Sequence, residues 1–274
     1  MTSDQERLAG YVETWKSAVD DVLVLLRSLD EDDWSRPTDL PGWDVKGVAA
    51  HLAHLESELS GVRQQRVEVP EGAHLTAPTS QYTERGLVAR ASMSGPEIAD
   101  ELEQAAAARW RLLRDEPPTD GSADPPRTPG KIGWSWETLL SNRPVDVWMH
   151  EQDIRRAVGR PGGLNSAAAA HTVAVFTRSL PYTVGKRVAP PVGTTVVLDV
   201  TGVSPVHLAV VIDENGRAVP MSGDPEQPTT HLRMDREAFT LLAGGRRPAS
   251  VLDVEVTGDE DLGRRVLDAM AVTP

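Results

Sequence analysis

The sequence predicts an α+β protein of two domains, a four-helix bundle over residues 1–160 followed by a small α+β domain over 161–274. Three observations carry this. Four segments before residue 160 place apolar residues at helical steps, the break Gly159-Arg160-Pro161-Gly162-Gly163 closes that region, and alternating β-branched runs take over beyond it. A length of 274 residues exceeds what one average domain needs, and 39% hydrophobic residues provide apolar surface for two cores.

The first helix is read from Leu8, Val12, Trp15, Val19, Val22, Leu26 and Leu29, which alternate steps of four and three and give a core-facing stripe over 4–29. A loop with Pro37 and the turn Leu40-Pro41-Gly42-Trp43 follows. Asp44 then stands at an N-cap position before Val45, Val48, Leu52, Leu55, Leu59 and Val62, the stripe of the second helix. Residues 63–92 read as a loop with little regular structure. The third helix opens at Ser94-Gly95-Pro96-Glu97, continues through Ile98, Leu102, Ala105, Ala106 and Leu113, and stops at Pro117-Pro118. After a Pro/Gly-rich linker over 119–133, the fourth spans 139–158, with Pro144 implying a kink or restart. In the second half, a helix over 166–180 leads to strands over 194–201, 206–212, 217–221, 231–234 and 251–256. Helices are expected near 237–242 and 262–270.

Charge and composition narrow the function. A formal charge of −13 with no block of Lys or Arg disfavours nucleic acid and anionic membranes, so small molecules are the expected partners. No apolar run approaches the roughly 18 residues of a transmembrane helix, and the start MTSDQERLAGYVETW lacks the basic and apolar regions of a signal peptide. A cytoplasmic protein is expected. The absence of cysteine excludes disulfides, a Cys nucleophile and thiolate metal ligation, so any thiol chemistry here uses a thiol supplied from outside.

The residues that suggest chemistry are His51 on the second helix and Asp146 with His150 on the fourth. Asp146 and His150 are four apart, which stacks them on one helical face, and His51 lies at the border of its helix's apolar stripe, able to look into the bundle. His54, by the same wheel, lies about 120 degrees from the stripe centre and is expected to point away. Two imidazoles and a carboxylate fill three positions around a divalent cation and leave one for water, a thiol or substrate. The competing reading is a surface Asp/His hydrogen bond and an ordinary core histidine. Glu151, Asp153, Arg155 and Arg156 read as a solvated charged face, Trp43, Trp134, Trp136 and Trp148 as core or pocket walls, and His74, His171, His207 and His231 as structural.

Two segments carry a family resemblance. DLPGWDVKGVAAHLAHLE and DVWMHEQDIRRA together resemble the signatures of the mycothiol-dependent maleylpyruvate isomerase family, a branch of the DinB-like four-helix metalloenzymes. The likeness extends through YTERGLVAR and into THLRMDREAFTLLAGGRRP, VTGDEDLGRRVL and MAVTP, which are similar to that family's small sterol-carrier-like α+β domain. The resemblance implies a divalent cation, zinc foremost, held by His51, Asp146 and His150, with mycothiol as thiol cofactor or co-substrate at the open position. A low-molecular-weight thiol and a small electrophile are the implied partners, and the implied reaction is thiol transfer or cis-trans isomerisation. Where the isomerase has a glutamate, this chain has the shorter Asp146.

A carboxylate-bearing substrate needs cations, and Arg85, Arg109 and Arg246 are the candidates, each also able to serve in a plain ion pair. Arg246 in the GGRR turn is expected to help close a site at a domain junction. Two other functions fit the residues less directly: a non-catalytic carrier built on the second half, and a thiol-independent metal hydrolase or lyase.

Overall fold

The computed structural model describes residues 3–72 and 78–273; His74 lies outside them. The chain is α+β and divides into two compact units, Met1–Ala168 and Ala169–Pro274.

The first unit is built on α1 (Asp4–Arg27), α2 (Val45–Ser60), α4 (Gly95–Asp115) and α5 (Trp136–Val158), with α3 (Pro78–Ala89) laid against α2. Each of the four long helices starts on a side-chain cap, which satisfies backbone N–H groups that the first turn leaves open. Ser3 and Ser94 form capping boxes with Glu6 and Glu97, Asp44 Oδ1 accepts from Gly47 N at 2.7 Å, and Ser135 accepts from Thr138 N. The predicted stripes become the core. Leu8, Val19 and Val22 of α1, Val48 and Leu52 of α2, and Ile98 and Leu102 of α4 are fully buried. Each such side chain contributes about 1.5–3 kcal/mol of hydrophobic stabilisation.

Several expectations are corrected. Residues 78–89 form α3 where a loop was expected, α5 begins at Trp136 and runs through Pro144 unbroken, and α2 stops at Gly61, in the left-handed conformation with φ 97°, leaving Val62 exposed.

In the second unit, α6 (Ala167–Thr177, which straddles the division) and the short α7 (Leu180–Tyr182), continued by a π-helical turn over Thr183–Val188, precede a five-stranded sheet. Its strands are β1 (Thr195–Thr201), β2 (Val206–Ile212), β3 (Ala218–Pro220), β4 (Thr230–Asp235) and β5 (Val254–Gly258), in the order β3-β2-β1-β4-β5. Only β1 and β4 run parallel, Val196 facing Thr230 and Val200 facing Met234; the other pairs are antiparallel. Alternation puts Val196, Leu198 and Val200 with Leu232 and Met234 on one buried face, on which α8 (Arg236–Ala243) and α9 (Glu260–Asp268) pack. Gly263 permits the close approach of α9, since a Cβ there would meet Val256 Cγ1 at 2.4 Å.

Candidate metal centre

The turn before α2 builds one wall of the site. Trp43 N donates to Leu40 O at 3.1 Å, with Pro41 and a positive-φ Gly42 between them, the residues a type II turn requires. The turn delivers the Trp43 ring to the imidazoles of His51 and His150, centroids 5.1 and 6.1 Å away. Trp43 Nε1 donates to Glu84 of α3 at 3.1 Å, so the helix missing from the sequence reading holds this wall in place.

His51 from α2 and Asp146 and His150 from α5 converge. Asp146 Oδ1 lies 3.5 Å from His51 Nε2 and 3.6 Å from His150 Nε2, and one ligand atom of each residue lies within 4.8 Å of the other two. These separations are too long for good hydrogen bonds. They suit three ligands at about 2.0–2.1 Å from one tetrahedral cation, whose mutual distances are roughly 3.3 Å. His51 Nε2, the nitrogen that faces Asp146, has no hydrogen-bond partner although the residue is buried, the condition expected of a nitrogen whose partner is a metal. Among the described residues this is the one His/Asp/Glu group with such geometry.

The surroundings prepare each ligand. Burial pushes the His51 imidazole down to about 4 against the opposing pull of Asp146, so it is neutral at neutral pH and offers a lone pair. Burial pushes Asp146 up, but Arg143 and then His51 outweigh it and hold the carboxyl well below its usual range. His150 Nδ1 donates to Asp153 Oδ2 at 3.1 Å, and Asp153 Oδ1 accepts from Arg156 Nη2 at 2.6 Å. This bond fixes the tautomer and turns His150 Nε2 toward Asp146. The donor set therefore fits a divalent cation of the zinc type.

Behind Asp146 runs a buried chain of charges absent from the sequence reading. Arg143 Nη1 donates to Asp146 Oδ2 at 2.9 Å, Arg143 Nη2 to Glu56 Oε1 at 2.8 Å, and Arg109 Nη1 to Glu56 Oε2 at 2.7 Å. Trp15 Nε1 also donates to Glu56 Oε1, at 3.0 Å. Glu56 thus receives a donor from α1, α4 and α5 while itself standing on α2. Burial pushes its carboxyl up, yet Arg109 and Arg143 hold it below the usual range.

The predicted substrate cations fall in three different places. Arg109, expected to meet a substrate carboxylate, meets Glu56 instead, buried with its guanidinium 4.6 Å from the Trp15 ring centre. Arg85 is exposed on α3 and lines a surface hollow of about 690 Å³ with Glu68, Glu71 and Gln81. Arg246 belongs to the second unit, where its Nη1 donates to Gly244 O at 2.7 Å beside a hollow of about 310 Å³. Neither hollow is lined by His51, Asp146 or His150.

Other expectations change. His54 is buried, not turned outward, because α3 covers its face: Tyr82 lies 5.2 Å from its ring, and a Cβ on Gly86 would meet its Cβ at 2.7 Å. Glu151 and Asp153, expected on a solvated face, are fully buried. Trp148 is core, as expected, with Nε1 donating to Gly163 O at 3.0 Å. His207 and His231 are tied to Asp199 at 2.7 and 2.8 Å.

A helical unit with a buried two-histidine, one-carboxylate cluster, followed in the chain by a five-stranded mixed-sheet unit, has the two-domain architecture of the maleylpyruvate isomerase fold. Residues 15–155 match the mycothiol maleylpyruvate isomerase N-terminal domain and residues 170–265 match the C-terminal domain of the same family. The chain belongs to the mycothiol-dependent maleylpyruvate isomerase family. The crystal structure of the mycothiol-dependent maleylpyruvate isomerase is similar to it with a TM-score of 0.53 at 14% identity, over 93% of this chain and 96% of that one. A histidine-to-alanine mutant of the isomerase gives 0.49 at the same identity and coverage. At this identity the likeness is one of fold. No curated relative matches the sequence significantly. No described helix is long and apolar enough to cross a membrane.

Proposed function

We propose that the protein is a metal- and thiol-dependent enzyme in which His51, Asp146 and His150 hold a divalent cation, zinc foremost, and mycothiol is the thiol cofactor or co-substrate. The observation that carries this reading is the buried His51 Nε2 with no hydrogen-bond partner, facing Asp146 and His150 on the fold of a mycothiol-dependent family. A bound cation of this kind lowers the pKa of a coordinated thiol and provides a nucleophilic thiolate at neutral pH.

This chain's own residues do the rest. His51 and His150 contribute neutral nitrogens, and Asp146 contributes one negative oxygen. Trp43 covers the histidine side and excludes water from it, while Asp146 is the most exposed of the three ligands, at 21% of its side chain, and marks the open side. With no cysteine in the chain, the nucleophilic sulfur comes from the small thiol. Its addition to a small electrophile gives either a transferred thioether or, if the thiol is expelled after rotation about the former double bond, a cis-trans isomerisation. Arg85 is the described candidate for a substrate carboxylate in the first unit, and Arg246 in the second.

Turnover of a maleyl-type conjugated diacid and of a simple electrophile, each assayed with and without mycothiol, tests the reading. Turnover that needs both thiol and metal supports it. Metal-dependent turnover without any thiol would replace it with hydrolase or lyase chemistry.

A further inference from the structure

We infer that Arg143 is a positioning residue for the metal centre, and that it makes Asp146 a one-oxygen ligand. This rests on the metal reading above. An aspartate can bind a cation through one oxygen or through both, and what its second oxygen touches decides between them. Here Oδ2 is taken by Arg143 Nη1 at 2.9 Å, while Oδ1 is the oxygen nearer both histidine nitrogens, at 3.5 and 3.6 Å.

Arg143 cannot swing away. Its side chain is only 1% exposed, and its Nε and Nη2 are both bonded to Glu56 Oε1, at 3.1 and 2.8 Å. Glu56 is anchored in turn by Arg109 and Trp15. The guanidinium is a planar fork that spans two carboxylates, and its second carboxylate is fully buried and reached from every long helix of the bundle. The orientation of Asp146 is therefore set by the bundle core.

Charge balance points the same way. Asp146, Arg143, Glu56 and Arg109 alternate in sign and sum to zero, so Asp146 does not bring an uncompensated negative charge to the cation. Its remaining oxygen is a single donor, and with two imidazoles it leaves the fourth tetrahedral position open to a thiol. A two-oxygen aspartate would crowd that position.

The test uses zinc(II) alone as the probe, on the full chain. A crystal structure of the zinc-loaded wild type is expected to show Oδ1 on the metal and Oδ2 still on Arg143; both oxygens on the metal would overturn the inference. Competition titration is expected to give Arg143→Lys about a 10–100-fold weaker zinc affinity, since one ammonium cannot hold Glu56 and Asp146 together. The cobalt(II)-substituted variant should show a weaker visible absorption than the wild type, as coordination number rises. Arg143→Met leaves Glu56 bonded to Arg109 and Trp15 and serves as a second variant. Wild-type affinity and cobalt spectrum in either folded variant would overturn the inference while leaving the metal site standing. A wild type that binds no zinc would overturn both.

Discussion

Glu56 Oε1 accepts from both Arg143 Nη2 and Trp15 Nε1, at 2.8 and 3.0 Å, and so joins the first, second and fifth helices at one buried oxygen. Removing that carboxylate leaves the buried Arg109 guanidinium without its anion and Arg143 with Asp146 alone. Glu56→Ala is expected to lose about 3–5 kcal/mol of stability in denaturant unfolding, the usual result of breaking a buried pair from one side. Lys16→Ala, which breaks only a surface pair with Asp20, is expected to change almost nothing in the same experiment.

Asp153 acts on the site through His150. Asp153→Asn keeps its shape but weakens the acceptor that holds Nδ1, so zinc affinity is expected to fall about 10-fold, at the low end for an outer partner of a metal ligand. Competition with a chromophoric chelator measures this, and unchanged affinity would show that His150 needs no such support.

The third helix supports the site by close approach. In Gly86→Ala, the new Cβ would lie 2.7 Å from His54 Cβ and force α3 off α2. The expected cost is about 1–3 kcal/mol, typical of overpacking. Because Trp43 is bonded to Glu84 on the same helix, its fluorescence should shift as well. A stability loss with no change around Trp43 would mean that α3 does not set this wall.

The polar face of the sheet gives a pH dependence with a definite sign. Hydrogen bonds donated by the His207 ring to Asp199, then Asp224, raise its pKa above 6.5. Stability from this cluster is therefore complete below about pH 6.5 and lost as pH rises through the higher folded value. Burial pushes Asp199 up, but His207 and His231 hold it below 3.8, so its share is present above that value and lost as pH falls through the depressed one. The difference in thermal stability between wild type and His207→Gln should be largest between about pH 4 and 6.5 and shrink above it. A difference that grows toward alkaline pH would contradict this.

What was legible in the sequence follows from the kind of signal each element carries. The four long helices announce themselves by sustained apolar stripes and capping residues, because burial against a partner helix requires both. The strands do so by alternation. PTSQYTERGLVA has no sustained stripe and only Pro78 as a start signal, and is held as a helix by packing of Gly86 on His54 and of Leu87 on Gly47. Missing α3 is why His54 was expected to face solvent. The trio His51, Asp146 and His150 was found by spacing and position on the stripe, and the structure brings it together. The chain of Glu56, Arg143 and Arg109 was not, since a charge within an apolar stripe shows that it is buried only when its partners are known. Glu56, four residues after Leu52 and three before Leu59, was the available clue.

Metal analysis of the purified wild type beside Asp146→Ala, after dialysis that removes loosely held ions, tests the central claim most directly. The account predicts close to one equivalent of zinc or another divalent transition metal in the wild type and its loss from the variant. A wild type that carries no metal, and takes none up on incubation with these ions, would contradict it.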